Sequence, residues 1–266
     1  MTDLERRGPS VTDQVVVVTG AAGGIGAALA TKMADLGARV VVSDLDAERA
    51  HAVAQRTGGM LVAGDAASED GLAALVETVE EEVGPIDVWF ANAGVDLGQG
   101  LGSSEDAWAR SWEVNVMAHV RAARLLVPGW LERGGGRFVS TASVAGLLTM
   151  IDAPAYSVTK HGAVAFAEWL SVTYRHKGID VHTICPQGVQ TAMLDRAGPL
   201  AAVLGRDRVL TPEEVAEAAW EAMVEGRFLV LPHAEVGDYY RARASDTDAW
   251  LGGMNRLQQR VESAGR

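Results

Sequence analysis

The chain has 266 residues, 48% of them hydrophobic, and a formal charge of −12 from 23 Lys and Arg against 35 Asp and Glu. That length suits one large α/β domain or two small ones, and the acidic balance argues against nucleic acid or an anionic membrane as the main partner. The single cysteine, Cys185, excludes an intrachain disulfide and suits a reducing, cytoplasmic compartment. It sits in an apolar run and reads as a buried thiol rather than a nucleophile. Met1 to Thr12 is polar and does not read as a signal peptide, and no apolar run approaches the roughly 20 residues that span a bilayer. The histidines are scattered, so no metal site is indicated.

In chain order, short β-branched runs alternate with longer helical patterns. Strands are expected at 15–19, 39–43, 60–64, 86–91, 137–141, 179–185 and 228–231. Helices are expected near 24–36, 46–56, 69–83, 105–131, 155–176 and 212–225. Several strands are continuous apolar runs, as in sheets covered on both faces. The alternation predicts a mainly parallel, seven-stranded α/β sheet flanked by helices, with right-handed crossovers. No linker is visible, so residues 1–266 read as one domain with a core at about 12–232. The long connection 187–210 reads as a substrate loop. The polar tail 233–266 reads as one or two helices on the domain edge, with a subunit contact or a flap over a pocket as the sharper alternative.

The first strand runs into Thr19-Gly20-Ala21-Ala22-Gly23-Gly24-Ile25-Gly26. A glycine-rich turn from strand to helix lets backbone N–H groups approach a pyrophosphate at the positive helix end. The second strand ends in Asp44, followed by Leu45. A carboxylate there accepts hydrogen bonds from ribose hydroxyls and repels a 2′-phosphate, which favours NAD over NADP. The first basic residue beyond it is Arg49. A helix N-cap is the plainer reading of Asp44. The third strand ends Gly64-Asp65-Ala66, where Asp65 could face the adenine amino group, and the fourth ends Ala91-Asn92-Ala93-Gly94, where small residues admit a cofactor.

Tyr156 and Lys160 are four residues apart, one helical turn on one face. A free tyrosine titrates near pH ~10. An adjacent ammonium favours the phenolate, bringing the tyrosine toward use as a general acid or base.

With these residues the chain resembles the short-chain dehydrogenase/reductase family over roughly 12–232, and with it a Rossmann-type doubly wound fold. The matches are the glycine turn, Asp65, Asn92-Ala93-Gly94, Asn115, Ser143, Tyr156-x-x-x-Lys160, and Pro186 with Thr191. The resemblance implies that Tyr156 transfers the proton, that Lys160 holds the nicotinamide ribose and lowers the pKa of Tyr156, and that Ser143 binds the substrate oxygen. It implies that Asn115 sits at a helix irregularity and anchors a water in a proton relay, and that Val189 and Thr191 contact the cofactor. Capping a turn is the plainer role for Ser143, and bridging helix and strand the plainer one for Asn115. Two departures stand out: Ala91 replaces an amide, and Gln187 follows Pro186 where glycine is usual. Gln187 could project toward nicotinamide or substrate. The family also implies a homotetramer through the helices carrying Trp112, Trp130 and Trp169.

Val95, Leu97, Val144, Leu147, Leu148, Met150, Met193, Leu194 and Leu204 carry few charges among them and suit a hydrophobic or cyclic substrate. The expected activity is therefore an NAD-dependent short-chain alcohol dehydrogenase interconverting a secondary alcohol and a ketone. The alternatives are an NADPH-dependent reductase of 3-oxoacyl thioesters and a dinucleotide-binding protein without catalysis.

Overall fold

A computed structural model describes residues 10–98, 100–196 and 207–264. Seven strands form one parallel sheet: β1 Val15–Thr19, β2 Arg39–Asp44, β3 Met60–Ala63, β4 Val88–Ala91, β5 Gly136–Thr141, β6 Ile179–Ile184 and β7 Leu229–Val230. Their spatial order is β3-β2-β1-β4-β5-β6-β7. The order reverses between β1 and β4, which leaves a crevice at the carboxyl ends of those two strands. β1 and β4 are buried along their whole length, which explains their unbroken apolar sequence.

The helices α1 Gly24–Asp35, α2 Ala47–Thr57, α3 Glu69–Glu82, α4 Glu105–Trp112, α5 Ala118–Arg133 and α6 Pro154–Tyr174 cover the sheet, joined by Pro212–Glu225. One core cluster brings Leu29 and Met33 of α1 onto Val16, Val18 and Phe90. The other brings Leu126 and Trp130 of α5 and Leu170 of α6 onto Val17, Trp89 and Phe138. The expected single helix 105–131 is interrupted by a π turn at Glu113–Met117. The fourth strand begins later than expected because the sheet register starts at Val88.

The tail forms two helices, Glu235–Ser245 and Thr247–Ala264. The first buries Val236 against Ala142, Val144, Leu148 and Cys185. Among the described residues no helix is long and apolar enough to cross a membrane. Leu204 and the middle of the 187–210 loop lie outside the described residues.

Candidate active site

A cavity of about 480 Å³ opens at the carboxyl ends of β1 and β4. The turn from β1 into α1 forms one end. Gly26 lies against the Gly20 carbonyl oxygen, and a Cβ there would collide with it. The N-terminus of α1 has no side-chain cap and no acid in its first turn. Its first residues, Gly24 to Gly26, line the cavity, and a helix N-terminus without a side-chain cap suits an anionic pyrophosphate. α2, α3 and α4, in contrast, are capped by Asp46, Ser68 and Ser104. Gly20, Gly23, Gly24, Ile25, Gly26, Asp44, Leu45, Asp65, Ala66, Asn92, Ala93, Gly94, Pro186, Val189 and Thr191 all line this space.

Several of these residues have uses that the sequence did not disclose. Asp44 is not the cap of α2. Its Oδ2 accepts from Ala22 N–H at 2.9 Å and its Oδ1 from Asp46 N–H at 3.0 Å, so it braces the glycine turn. The amide of Asn92 donates to the carbonyls of Thr19 and Gly20 at 3.0 and 3.1 Å, tying β4 to the same turn. Asp65 pairs with Arg110 of α4 at 3.2 Å. The guanidinium of Arg49 lies beside Gly23, 2.5 Å from where a Cβ would sit. No sequence motif marked Arg110, because its pairing joins segments far apart in the chain.

At the other end stand Ser143, Tyr156 and Lys160. Pro154 opens α6, where its missing N–H has no helical partner to lose. The next turns carry Tyr156 and Lys160 on one face. The Ser143 loop packs closely on α6, for a Cβ on Gly146 would stand 2.6 Å from the Lys160 carbonyl oxygen. Ser143 serves two purposes. Its Oγ accepts from Ala145 N–H at 3.0 Å, capping the turn Val144–Gly146, and its hydroxyl lies close enough to Tyr156 to act on that group's pKa.

The electrostatics depart from the expectation that Lys160 lowers the Tyr156 pKa. Burial pushes the phenol up to about 12, the Ser143 hydroxyl acts against it, and the nearby Asp96 carboxylate adds to the rise. Burial pushes Lys160 down to about 8. Its Nζ donates to the Thr141 carbonyl at 2.8 Å and lies 5.7 Å from the centre of the Tyr156 ring. Desolvation of the phenolate is therefore the largest influence on Tyr156.

Asn115 lies in the π turn but does not line the cavity. Its Oδ1 accepts from Val95 N–H at 2.9 Å, and its Nδ2 donates to the Val95 carbonyl at 2.8 Å and to Thr159 Oγ1 at 3.0 Å. The side chain is a staple between three segments, which is the bridging role. Gln187 lines the cavity while its Nε2 donates to Asp207 at 3.0 Å. His233, unmarked in the sequence, organises this non-glycine turn. Its Nδ1 accepts from Gln187 N–H at 3.2 Å and its Nε2 donates to the carbonyls of Gly188 and Arg208, at 3.2 and 3.1 Å, as the neutral tautomer.

Val95, Val144, Met150, Met193 and Leu194 line the cavity as expected. Leu147 belongs to the core instead. The expectation of few charges missed Asp96 and Arg196, which also line it. Asp96 is exposed as a residue, yet partial burial of its carboxyl pushes its pKa up against Arg196 and Lys160. Cys185 is buried and its thiol is pushed up to about 12 by desolvation, in keeping with an inert structural role.

Residues 14–199 match the model of the short chain dehydrogenase family. The chain belongs to this family. It is 34% identical to 1-deoxy-11-beta-hydroxypentalenate dehydrogenase of Streptomyces exfoliatus, over 89% of this chain and 88% of that one. It is 34% identical to cis-4-hydroxycyclohexanecarboxylate dehydrogenase of Sinomonas cyclohexanicum, over 79% and 89% of the two chains. Among solved structures, a short chain dehydrogenase/reductase from Burkholderia phymatum in complex with NAD superposes with a TM-score of 0.82 at 30% identity, over 91% of this chain and 96% of that one.

Proposed function

We propose that this chain is an NAD(H)-dependent oxidoreductase interconverting a secondary alcohol and a ketone on a hydrophobic or cyclic substrate, as one dinucleotide-binding and catalytic domain. One observation carries the reading. Ser143, Tyr156 and Lys160 line a cavity that also takes in the uncapped N-terminus of α1. The glycine turn and α1 would hold the pyrophosphate, Asp44 the adenosine ribose, Lys160 the nicotinamide ribose, and Val189 and Thr191 the nicotinamide end. A bound nicotinamide supplies hydride exchange.

The protein's own part is orientation and proton transfer. In oxidation the alcohol carbon gives up a hydride and its oxygen gives up a proton to Tyr156, leaving a carbonyl. In reduction the Tyr156 hydroxyl returns that proton to the oxygen. Ser143 donates a hydrogen bond to the same oxygen and stabilises the charge that develops there. Asn115 holds the Val95 segment and α6 in register for this transfer, and through the π turn would support the proton relay. Relatives named for cyclic alcohols agree with the apolar lining. The single cysteine suits the cytoplasm.

Tyr156→Phe should lower kcat for NAD-linked alcohol oxidation by about 10²–10⁴-fold, the usual worth of a positioned acid or base, with the KM for NAD little changed. Turnover near the wild-type rate would overturn the assignment.

A second reading, NADPH-dependent reduction, has Arg49 in its favour, since a guanidinium beside Gly23 could meet a 2′-phosphate. Asp44 opposes it. A cofactor titration decides: preference for NADPH that is lost in Arg49→Gln establishes the second reading, and preference for NAD the first.

A further inference from the structure

A second cavity of about 440 Å³ adjoins the first, and Val144, Met150 and Gln187 line both. Leu148 and Ile151, from the loop after Ser143, form one wall. Trp250, Met254 and Leu257 form the other and recur at helical spacing, so one face of the last helix is turned to the cavity. Its charged lining consists of Asp207, Arg256 and Arg260.

The three charges differ in their engagement. Asp207 accepts from Gln187 Nε2 at 3.0 Å and from the Tyr239 hydroxyl at 3.1 and 3.2 Å. Arg256 and Arg260 are exposed, and among the described residues neither has a hydrogen bond or an ion pair. Glu262, the acid nearest them along the helix, bonds Gln258 at 2.8 Å instead. Arg256 and Arg260 are one turn apart, an arrangement in which like charges repel. The chain has 35 acidic residues against 23 basic ones, yet among the described residues neither of these two guanidiniums is paired with a carboxylate. A planar fork of donors beside an apolar wall matches an apolar body that ends in a carboxylate.

We propose that the second cavity holds the remote half of the substrate, and that this substrate is a cyclic or otherwise apolar alcohol carrying a carboxylate, which Arg256 and Arg260 bind. The assignment rests on the alcohol–ketone reading above. It places the reacting carbon by Ser143 and Tyr156 and the carboxylate beyond Met150, outside the dinucleotide end.

Two measurements on the NAD-loaded enzyme test it, each with the wild type and with Arg256→Gln/Arg260→Gln. The first is calorimetric binding of cyclohexanecarboxylate and of cyclohexanecarboxamide. The second is oxidation of 4-hydroxycyclohexanecarboxylate and of its methyl ester. The wild type should favour the carboxylate by about fivefold in both Kd and kcat/KM, as an exposed charge pair of good geometry does. In the double variant both ratios should fall to near one. Equal binding of acid and amide, or a preference that survives in the variant, overturns the proposal and leaves the arginines as solvated surface groups. Carboxylate binding without oxidation of either alcohol sinks the alcohol–ketone reading while the anion site stands. Oxidation of acid and ester at equal kcat/KM does the reverse.

Discussion

The Tyr156 hydroxyl is governed by its burial. With a pKa pushed up to about 12 it is protonated at neutral pH, ready to donate to a carbonyl oxygen. Oxidation needs the opposite proton state, so log kcat/KM for alcohol oxidation should climb with pH through the neutral range while that for ketone reduction stays level. A pH-independent oxidation profile would contradict this. Lys160→Ala should damage both NAD affinity and turnover, raising the KM for NAD as well as lowering kcat, and a loss confined to kcat would remove its ribose-holding role. His119 makes a separate, testable contribution to stability. It is buried beside Ser140 Oγ, and desolvation lowers its pKa from 6.5 to about 3. Between those values the unfolded chain binds more protons, so this group's contribution is complete above pH ~6.5 and is lost at about 1.4 kcal/mol per unit as pH falls. Urea unfolding at neutral and mildly acid pH should show a shallower acid loss in His119→Gln than in the wild type, and parallel losses would refute the assignment.

Turns and helix ends decide how the elements meet at the site. The carboxylate of Asp44 and the amide of Asn92 both fasten the loop between β1 and α1, leaving the helix N-terminus free of any side-chain cap. Gly26→Ala would force a methyl group into the Gly20 carbonyl and against the Asn92 amide, 2.5 Å away. It should abolish dinucleotide binding in a calorimetric titration and lower the melting temperature. A variant that binds NAD normally would show that the turn has room to yield. The sequence showed this turn through its glycines, and it placed Tyr156 and Lys160 one helical turn apart in the helix expected at 155–176. An irregularity at Asn115 followed from the family resemblance, and the structure shows its form, a π turn over Glu113–Met117. The sequence did not show that His233 holds the turn after Pro186 by bonding Gln187 and Gly188.

Over the whole molecule, α4, α5 and α6 present an apolar outer face. Trp130 turned inward, donating from Nε1 to the Ile86 carbonyl at 2.7 Å, so it adds nothing to that face. Trp112, Trp169 and Val172 are 43%, 54% and 82% exposed. A monomeric surface seldom leaves such a patch uncovered, and it supports the proposal that the helices bury one another in a homotetramer. Trp169→Asp with Val172→Asp should shift light scattering from a tetramer toward smaller species, and a wild-type monomer would end the proposal.

The strand–helix alternation and the glycine turn were enough to read the fold, and Ser143, Tyr156 and Lys160 were enough to nominate a candidate site, since these signals rest on local spacing and residue type. The tertiary structure alone decided the rest. It set the proton affinity of Tyr156, which depends on how deeply α6 is covered, and the pairing of Asp65 with Arg110. It also set the position of Arg49 beside Gly23 and the cavity between the Ser143 loop and the last helix. These features come from groups distant in the chain, brought together by packing, and local sequence carries no record of which distant side chain will remove the water.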